Sequence, residues 1–382
     1  MIKRNKRVIS VILSILLLSF LLIYSGINNT TNNTTNNTNK INITEQLGNI
    51  PRTKKKIKNI IYMIGDGMGE NHIMAGALYK GEELNIQGIK NKSYVITSST
   101  EEITDSAAAA TALATGFKTN NGVIGKDKFG NNLENLIEYT NKKGMKTGIV
   151  CTQILNHATP AAFLVHNQSR HNYYEIALSQ IESCVDLMLG GGRQYFSKYQ
   201  SKMLENSFEW INNLSELENI NKENKVIGTF ASASISEEKD RVSLKELTQE
   251  AIYRLDNENG FFLMIEGSDI DSYSHQLNME KTLNEIIDFD EAVKIAKEYV
   301  DINPDTLLIV TADHETGGLN LDGITIPQQL TDSLFTSNNH TSKNVLMYAY
   351  GIAAEDLTQY NLIDNTSICN FIKQGLKNAY EK

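Results

Sequence analysis

Apolar residues after position 58 follow two patterns along the chain. Short uninterrupted apolar runs are typical of strands buried on both faces, and apolar residues at helical spacing mark the segments between them. The alternation of these patterns predicts an α/β fold, with a central, mostly parallel sheet flanked by helices on both faces. The predicted strands are 59–64, 146–151, 261–265, 306–310 and 345–350, and the predicted helices include 133–143, 244–255 and 286–300.

The N-terminal part of the chain has a different pattern. Basic residues at positions 3–7 precede an uncharged apolar run, Val8–Ile27. This run is long enough to span a bilayer, since a spanning helix needs about 20 residues. Residues 1–27 are therefore either a membrane anchor or a cleaved signal peptide. In both cases the rest of the chain would lie outside the cytoplasm, either anchored to the membrane or secreted.

Residues 28–57 are predicted to form a tether, which is rich in Asn and Thr at first and basic at its end. Such a segment has too few apolar residues to form a core of its own. The N-x-T sequences at Asn29 and Asn33 are either glycosylation sites or part of an Asn-rich spacer. The sequence thus predicts that the globular domain comprises residues 58–382.

Charge and cysteine content limit the classes of partner. The chain has 382 residues and a formal net charge of −9, without a basic stripe in its globular part. Because a nucleic-acid-binding domain usually has a basic face, we expect no nucleic-acid partner. The three cysteines, Cys151, Cys184 and Cys369, show no short spacing, which argues against a cysteine metal site and favours buried thiols.

A serine lies where a helix is predicted to begin. The alanine run 107–110 favours a helix, Gly116 fits its end, and Thr104, Asp105 and Ser106 are residue types that cap helix N-termini. The backbone N–H groups of such a terminus favour phosphate binding, and Ser106 would be a nucleophile if a base or a metal activated it. On this segment alone, the alternative that Asp105 or Ser106 only caps the helix is favoured.

Acidic residues and histidines follow several of the predicted strands. Asp66 follows the first strand, Glu266 ends another, and Asp313 with His314 follows a third. Ligands of open α/β sheets bind beyond the carboxyl ends of the strands, so these side chains are expected to meet at one edge. His275 lies four residues after Asp271, a spacing that places both on one face of a helix.

The residue types at these positions indicate metal ions. Sets that mix Asp and His suit zinc, whereas sets of carboxylate, hydroxyl and water suit magnesium. The chain has only seven histidines, and three of them, His275, His314 and His340, lie in these acidic or polar segments. Buried carboxylates would be costly without cations or other partners. The segments together therefore predict a metal centre.

These segments resemble the alkaline phosphatases, over residues 58–351. The most specific ones are Thr104–Ala112, continued by Thr115–Gly116 and Lys118–Gly122, and then His157–Ala162, which leads to Ser169 and Arg170. The resemblance implies an enzyme that hydrolyses small phosphate monoesters to an alcohol and inorganic phosphate. It also implies a phosphoserine intermediate and catalysis with two zinc ions.

The resemblance implies a role for each matched residue. Ser106 would be the nucleophile, and Arg170 would bind the phosphate, since its planar guanidinium matches two phosphate oxygens. Three metal sites are implied, two for Zn²⁺ and one for Mg²⁺. The implied ligands are Asp271, His275 and His340 for the first zinc, Asp66, Asp313 and His314 for the second, and Asp66, Thr159 and Glu266 for magnesium.

Three features depart from the familiar bacterial members. His157 stands where they have Asp, so the third site could take Zn²⁺ or Co²⁺ instead of Mg²⁺. Ser272 stands where they have Lys and animal members have His, so Ser272 supplies no charge near the phosphate. The segment between Gly318 and His340 is short, which predicts little or no crown insertion and leaves the family's homodimer an open question.

Two rival functions fit the sequence less well. A phosphodiesterase of the same superfamily would commonly use Thr or a modified Cys, whereas the pair Ser106 and Arg170 favours monoesters. A phosphate- or metal-binding surface protein without turnover would not need a complete ligand set beside an intact Ser106. The sequence does not name the physiological substrate.

Overall fold

The computed structural model describes residues 51–380. The predicted signal or anchor, residues 1–27, and most of the tether lie outside the described residues, so both stay predictions. At the start of the described chain, Thr53 and Ile57 are buried; the Thr53 amide donates to Oε1 of Gln374 at 3.1 Å. In the part of the chain that the structure describes, no helix is both long and apolar enough to cross a membrane.

Ten strands within residues 51–380 form one sheet, in the order β12-β2-β11-β8-β1-β7-β3-β4-β6-β5, and two short strands, β9 and β10, form a separate antiparallel pair. The strands are β1 (Asn59–Gly65), β2 (Asn91–Ile96), β3 (Lys146–Ile154), β4 (Leu187–Gly191), β5 (Phe208–Ile211), β6 (Lys225–Thr229), β7 (Phe261–Gly267), β8 (Thr306–Thr311), β9 (Glu315–Thr316), β10 (His340–Thr341), β11 (Val345–Gly351) and β12 (Leu362–Asp364).

The sheet is mostly parallel, as predicted. Every predicted strand is present, as β1, β3, β7, β8 and β11, and β1, β7 and β8 are buried along their whole length. This burial explains their uninterrupted apolar runs, because both faces of each strand pack against the interior. The exception to parallel pairing is β11, which runs antiparallel to both β8 and β2.

The described helices form two sets that pack on opposite faces of the sheet, as predicted. One set includes α1, α8, α9 and α10, and the other includes α2, α3, α4 and α12. The helices are α1 (Glu70–Lys80), α2 (Ser106–Thr115), α3 (Leu136–Asn141), α4 (Ala158–Leu164), α5 (Tyr173–Ile181), α6 (Arg193–Phe196), α7 (Gln200–Glu205), α8 (Leu244–Leu255), α9 (Asp269–His275), α10 (Met279–Ile302), α11 (Ala354–Leu357) and α12 (Thr366–Tyr380).

The helix predicted over 133–143 is shorter in the structure. It begins after Asn135, whose side chain accepts from the amide of Glu138 at 2.9 Å, while Glu138 accepts from the amide of Asn135 at 3.1 Å. This reciprocal pair satisfies two amides that have no partner within the helix, and so sets its first turn. The apolar spacing alone did not reveal this cap.

The predicted small crown is confirmed. Residues 317–339 connect β9 to β10 and contain only two short 3₁₀ turns, Pro327–Gln329 and Asp332–Leu334. Asp332 accepts from the amide of Met279 at 2.8 Å, which fixes the connection to the start of α10. The antiparallel pairing of β9 with β10 places His340 opposite Thr316, so the connection returns to the sheet edge where β8 ends.

The carboxyl ends of four neighbouring strands define one edge of the sheet. The strands β8, β1, β7 and β3 are adjacent and parallel. Their ends are followed by, or include, Asp313, Asp66, Glu266 and His157. Ligands bind at this edge in open α/β sheets, and the predicted chemistry lies there.

Candidate active site

Ser106 is the first residue of α2 and is only 1% exposed. Asp105, not Ser106, caps the helix, since its Oδ1 accepts from the amide of Ala108 at 3.0 Å. The hydroxyl of Ser106 is therefore available for another partner, and its Oγ lies 3.2 Å from Nε2 of His314. The structure thus separates the two roles that the sequence left open on this segment.

Asp66, Asp313 and His314 form a fully buried group. Nε2 of His314 lies 3.4 Å from Oδ1 of Asp66 and 3.2 Å from Oδ2 of Asp313. Oδ1 of Asp313 accepts from the amides of Gly67 at 3.1 Å and of His314 at 2.9 Å. These amide bonds orient the Asp313 carboxylate so that Oδ2 faces the group.

A hydrogen bond from Nδ1, the ring nitrogen that faces away from Ser106, sets the orientation of His314. Its Nδ1 donates to Oγ1 of Thr316 at 3.2 Å, and the Thr316 hydroxyl donates to Oδ1 of Asp271. With the proton on Nδ1, Nε2 presents a lone pair toward Ser106 and the two carboxylates. Such outer hydrogen bonds are typical of metal-binding histidines, because they fix the ring and its tautomer.

Asp271, His275 and His340 form a second group within reach of a single ion. Nε2 of His275 lies 3.3 Å from Oδ2 of Asp271 and 3.0 Å from Nε2 of His340. Each ring donates from Nδ1 to a backbone carbonyl, His275 to Asn338 at 2.7 Å and His340 to Thr104 at 2.8 Å. Both Nε2 atoms consequently point at each other and need a positive charge between them. The hydrogen bond to Asp271 raises the pKa of His275 to about 9.

The two groups are contiguous. The rings of His314 and His340 stack with their centroids 3.6 Å apart and their planes inclined by 21°. Although burial alone would raise it, the hydrogen bond and charges of the surrounding histidines hold the pKa of Asp271 below its usual value. Asp271 is therefore ionised between the two groups.

Asp66, His157 and Glu266 form a third group, which shares Asp66 with the first. Ser268 donates to Oε2 of Glu266 at 2.6 Å, whereas Oε1 of Glu266 and Oγ1 of Thr159 are buried and have no hydrogen-bond partner among the described residues. Burial raises the pKa of Glu266 to about 8. The three groups contain every acidic residue and histidine that the sequence predicted as a ligand, whereas Thr159 belongs to none of them.

Several oxygens of the buried carboxylates have no hydrogen-bond partner among the described residues. Within residues 51–380, neither carboxylate oxygen of Asp66 nor Oδ2 of Asp313 has a hydrogen-bond partner. Burial, together with repulsion from neighbouring carboxylates, raises the pKa of Asp66, and burial raises that of Asp313 to about 7. Buried acceptors without partners are costly unless cations neutralise them, so this donor set fits metal ions.

Arg170 is held at the start of α2. Its Nη1 lies 3.0 Å from Oδ2 of Asp105, which also accepts from the amide of Gly122 at 3.0 Å. Its Nη2 donates to Nε2 of His157 at 3.2 Å, and burial, followed by the nearby Arg170 charge, lowers the pKa of His157 to about 3. Asp105 thus both caps the helix and positions the guanidinium, a second role that residue types alone did not predict.

Ser272 lies on α9 between Asp271 and His275. Its hydroxyl accepts from Nε2 of Gln153 at 2.8 Å. The sequence patterns predicted no role for Gln153, because a polar residue near the end of a buried strand does not by itself indicate a metal site. Thr316 was missed in the same way, although it lies two residues after His314.

Residues 57–333 match the family model described as alkaline phosphatase. The chain belongs to the alkaline phosphatase family. This assignment confirms the resemblance that the segments around Ser106 and Arg170 indicated.

Known alkaline phosphatases are similar over most of the chain. Alkaline phosphatase 4 of Bacillus subtilis is 38% identical over an alignment of 303 residues that covers 73% of this chain and 66% of that protein. The Escherichia coli enzyme is 30% identical over 410 residues, covering 84% of this chain and 86% of that one. The chain thus spans about two thirds of the Bacillus relative and more of the E. coli one.

A solved structure shares the fold. The alkaline phosphatase of the Antarctic bacterium TAB5 aligns with a TM-score of 0.78 and 32% identity, covering 85% of this chain and 98% of that chain. A variant of that enzyme, with one histidine replaced by aspartate, has Mg bound in its M3 site. The likeness confirms the predicted α/β architecture.

Proposed function

We propose that this protein hydrolyses phosphate monoesters to an alcohol and inorganic phosphate, with Ser106 as the nucleophile. The supporting observation is the position of its Oγ, 3.2 Å from Nε2 of His314 and at the helix terminus where Asp105 holds Arg170. A serine that only capped the helix would need no such surroundings.

Each of these residues has a defined part in the proposed reaction. Arg170 binds two phosphate oxygens through its planar guanidinium, and the amides at the start of α2 add partial positive charge. Oγ of Ser106 gives up its proton to solvent and attacks phosphorus, and the ester bond breaks with its electron pair on the alcohol oxygen, which takes up a proton from solvent. Water then displaces Oγ from the phosphoserine, which releases phosphate and restores the hydroxyl.

We propose that Asp66, Asp313 and His314 hold one Zn²⁺ and that Asp271, His275 and His340 hold another. The partnerless carboxylate oxygens and the facing Nε2 atoms support this assignment, and mixed Asp and His ligands suit zinc. When bound, the cations supply charge that lowers the pKa of hydroxyl groups and stabilises negative oxygens. Thr316 and the carbonyls of Asn338 and Thr104 hold the three histidines in the required tautomer.

We propose a third site at Asp66, Thr159 and Glu266, with His157 at its edge. Two carboxylates and a hydroxyl suit Mg²⁺, whereas an imidazole beside them would admit Zn²⁺ or Co²⁺. The unpartnered Oγ1 of Thr159 and Oε1 of Glu266 support a cation here. The TAB5 variant with aspartate in place of a histidine and Mg in its M3 site supports a role for His157 in metal choice.

We propose that the protein acts outside the cytoplasm on small phosphomonoesters. The basic start and the apolar run Val8–Ile27 support this location, either as a membrane anchor or as a cleaved signal. Fractionation of cells and the mass of the mature N-terminus distinguish the two: an anchor leaves Met1 in the membrane fraction, and a signal peptide is lost. The mass of the purified protein in solution distinguishes a monomer from a homodimer.

The direct test is hydrolysis of a chromogenic phosphate monoester. Activity should vanish in Ser106→Ala and after chelation, and zinc should restore the chelated wild-type enzyme. The control is Ser215→Ala, an exposed serine, which should keep full activity. Activity that survives in Ser106→Ala, or that chelation leaves unchanged, would contradict the proposal.

A further inference from the structure

A buried histidine outside the proposed ligand set connects two parts of the metal centre. His72 lies in the first turn of α1 and is 0% exposed. Its Nδ1 accepts from the amide of Gly69 at 3.2 Å. Its Nε2 lies 3.2 Å from Oγ of Ser274, whose hydroxyl donates to the carbonyl of Ile270 at 2.7 Å. The ring therefore bridges the loop after β1 and the helix α9.

The direction of each hydrogen bond from Gly69 through His72 and Ser274 to Ile270 is determined. An amide can only donate, so Nδ1 of His72 is an acceptor, and the neutral ring carries its proton on Nε2. The hydroxyl proton of Ser274 goes to Ile270, so Ser274 accepts from Nε2. Burial lowers the pKa of His72 to about 4, which agrees with a neutral ring. Every polar atom of the ring is thus used, and one tautomer fits.

The two residues that His72 connects, Gly69 and Ser274, lie next to proposed ligands. Gly69 belongs to the loop that begins with Asp66, and Ser274 lies between Asp271 and His275 on α9. We propose that His72 is a positioning residue that fixes α9 against the Asp66 loop and thereby sets the zinc affinity of the Asp271, His275 and His340 group. This inference rests on the metal assignment of the proposed function but not on turnover.

Two amide substitutions separate the halves of the bridge. The side-chain amide of Gln places its nitrogen where Nε2 lies, and that of Asn places its oxygen where Nδ1 lies. His72→Gln therefore keeps the bond to Ser274, whereas His72→Asn keeps only the bond from Gly69. We expect the zinc dissociation constant at this group to rise about tenfold in His72→Asn and to stay within about threefold in His72→Gln. Losing a hydrogen-bond partner of a ligand typically costs 10–100-fold in metal affinity, and His72, one residue further from the ion, should lie at the low end of that range.

The measurement is competition for Zn²⁺ with a chromophoric chelator, together with the visible absorption of the Co²⁺-loaded protein. His72→Asn should change the cobalt bands, and His72→Gln should keep them. His166→Asn is the matched control, because His166 also uses both ring nitrogens, with Gly125 at 2.7 Å and Glu138 at 2.9 Å, but contacts none of the proposed ligands through them. The control should leave zinc affinity unchanged.

Ser274→Ala closes a double-mutant cycle. It should weaken zinc binding at least as much as His72→Asn does, because it removes the bond to His72 and also the bond to Ile270. The two substitutions together should be no worse than Ser274→Ala alone. If His72→Asn does not fold, the zinc affinity of Ser274→Ala alone tests the inference. Wild-type affinity in Ser274→Ala, equal affinities in the Asn and Gln variants, or additive effects would overturn the inference. A wild-type protein that binds zinc normally but hydrolyses no phosphomonoester would refute the proposed function and not this one.

Discussion

The hydroxyl of Thr316 donates to Oδ1 of Asp271, while its oxygen accepts from Nδ1 of His314. One small side chain therefore orients a ligand from each of the two proposed zinc sites. Its position follows from the short strand β9, which brings residue 316 back beside α9.

Removal of this hydroxyl should affect both sites at once. Thr316→Val keeps the shape but leaves His314 free to turn and Asp271 without its donor. We expect both activity and zinc affinity to fall about 10–100-fold, which is the usual effect when metal ligands lose a hydrogen-bond partner. Thr316→Ser keeps the hydroxyl and should stay near wild type. Zinc titration and phosphatase assays of both variants check this, and equal behaviour of Val and Ser would contradict it.

Ser272 should make phosphate a weak product inhibitor. Its hydroxyl accepts from the neutral amide of Gln153, so neither side chain supplies positive charge. Ser272→Lys should lower the inhibition constant for inorganic phosphate, because an ammonium group attracts the anion. Ser272→Met, of similar length but uncharged, is the control and should not. Inhibition in the Lys variant that is equal to or weaker than that of the wild type would refute the account of this position.

His157 should govern metal choice at the third site. His157→Asp adds a carboxylate beside Asp66 and Glu266, and we expect Mg²⁺ affinity to rise at least about tenfold, since one charge near a divalent cation is worth more than about 1 kcal/mol. His157→Asn adds no charge and serves as the comparison. Magnesium titration of activity and of thermal stability measures both. The prediction fails if the Asp and Asn variants bind Mg²⁺ equally.

Glu285 should make stability depend on pH. Its side chain is 4% exposed and bonded to Arg241 at 2.5 Å, and burial raises its pKa from 4.5 to about 7. Between these values the folded state keeps a proton that the unfolded state releases, so the free energy of unfolding falls as pH rises from 4.5 to about 7. Glu285 should account for roughly 3 kcal/mol of this decrease in the free energy of unfolding.

The comparison is between Glu285→Gln and wild type across this pH range. The variant cannot titrate, so its stability relative to wild type should rise with pH and level off above about 7. Glu298→Gln, at an exposed position of the same helix, is the control. Chemical denaturation at several pH values measures the difference, and a difference that does not change with pH would exclude this role.

The sequence predicted the strands of the sheet centre and the acidic residues that gather at their ends. β1, β7 and β8 are buried on both faces, so their apolar runs stand out, and Asp66, Glu266 and Asp313 follow directly from where those runs stop. Among the strands that were missed, β4 is buried along its length but has only three apolar residues before two glycines. β2 alternates exposed and buried positions, and β5 has four residues, so neither produces a continuous apolar run.

The outer hydrogen bonds could not be predicted. His340 reaches the site because β10 pairs with β9 across a long connection, and the pattern of residues 317–339 does not specify that pairing. Asp105 is a common capping residue whose link to Arg170 depends on a contact across 65 positions. Likewise, His72 meets Ser274 through a hydrogen bond between residues 202 positions apart. Such contacts follow from tertiary structure, whereas the ligands themselves follow from local patterns.

The most direct test of the central claim is to find the covalent intermediate. The enzyme is quenched in acid during turnover of a phosphate monoester, and its peptides are mapped by mass spectrometry. The account predicts phosphate on Ser106 in the wild type and none in Ser106→Ala. An active wild-type enzyme whose quenched peptides carry no phosphate at Ser106, or carry it at another residue, would contradict it.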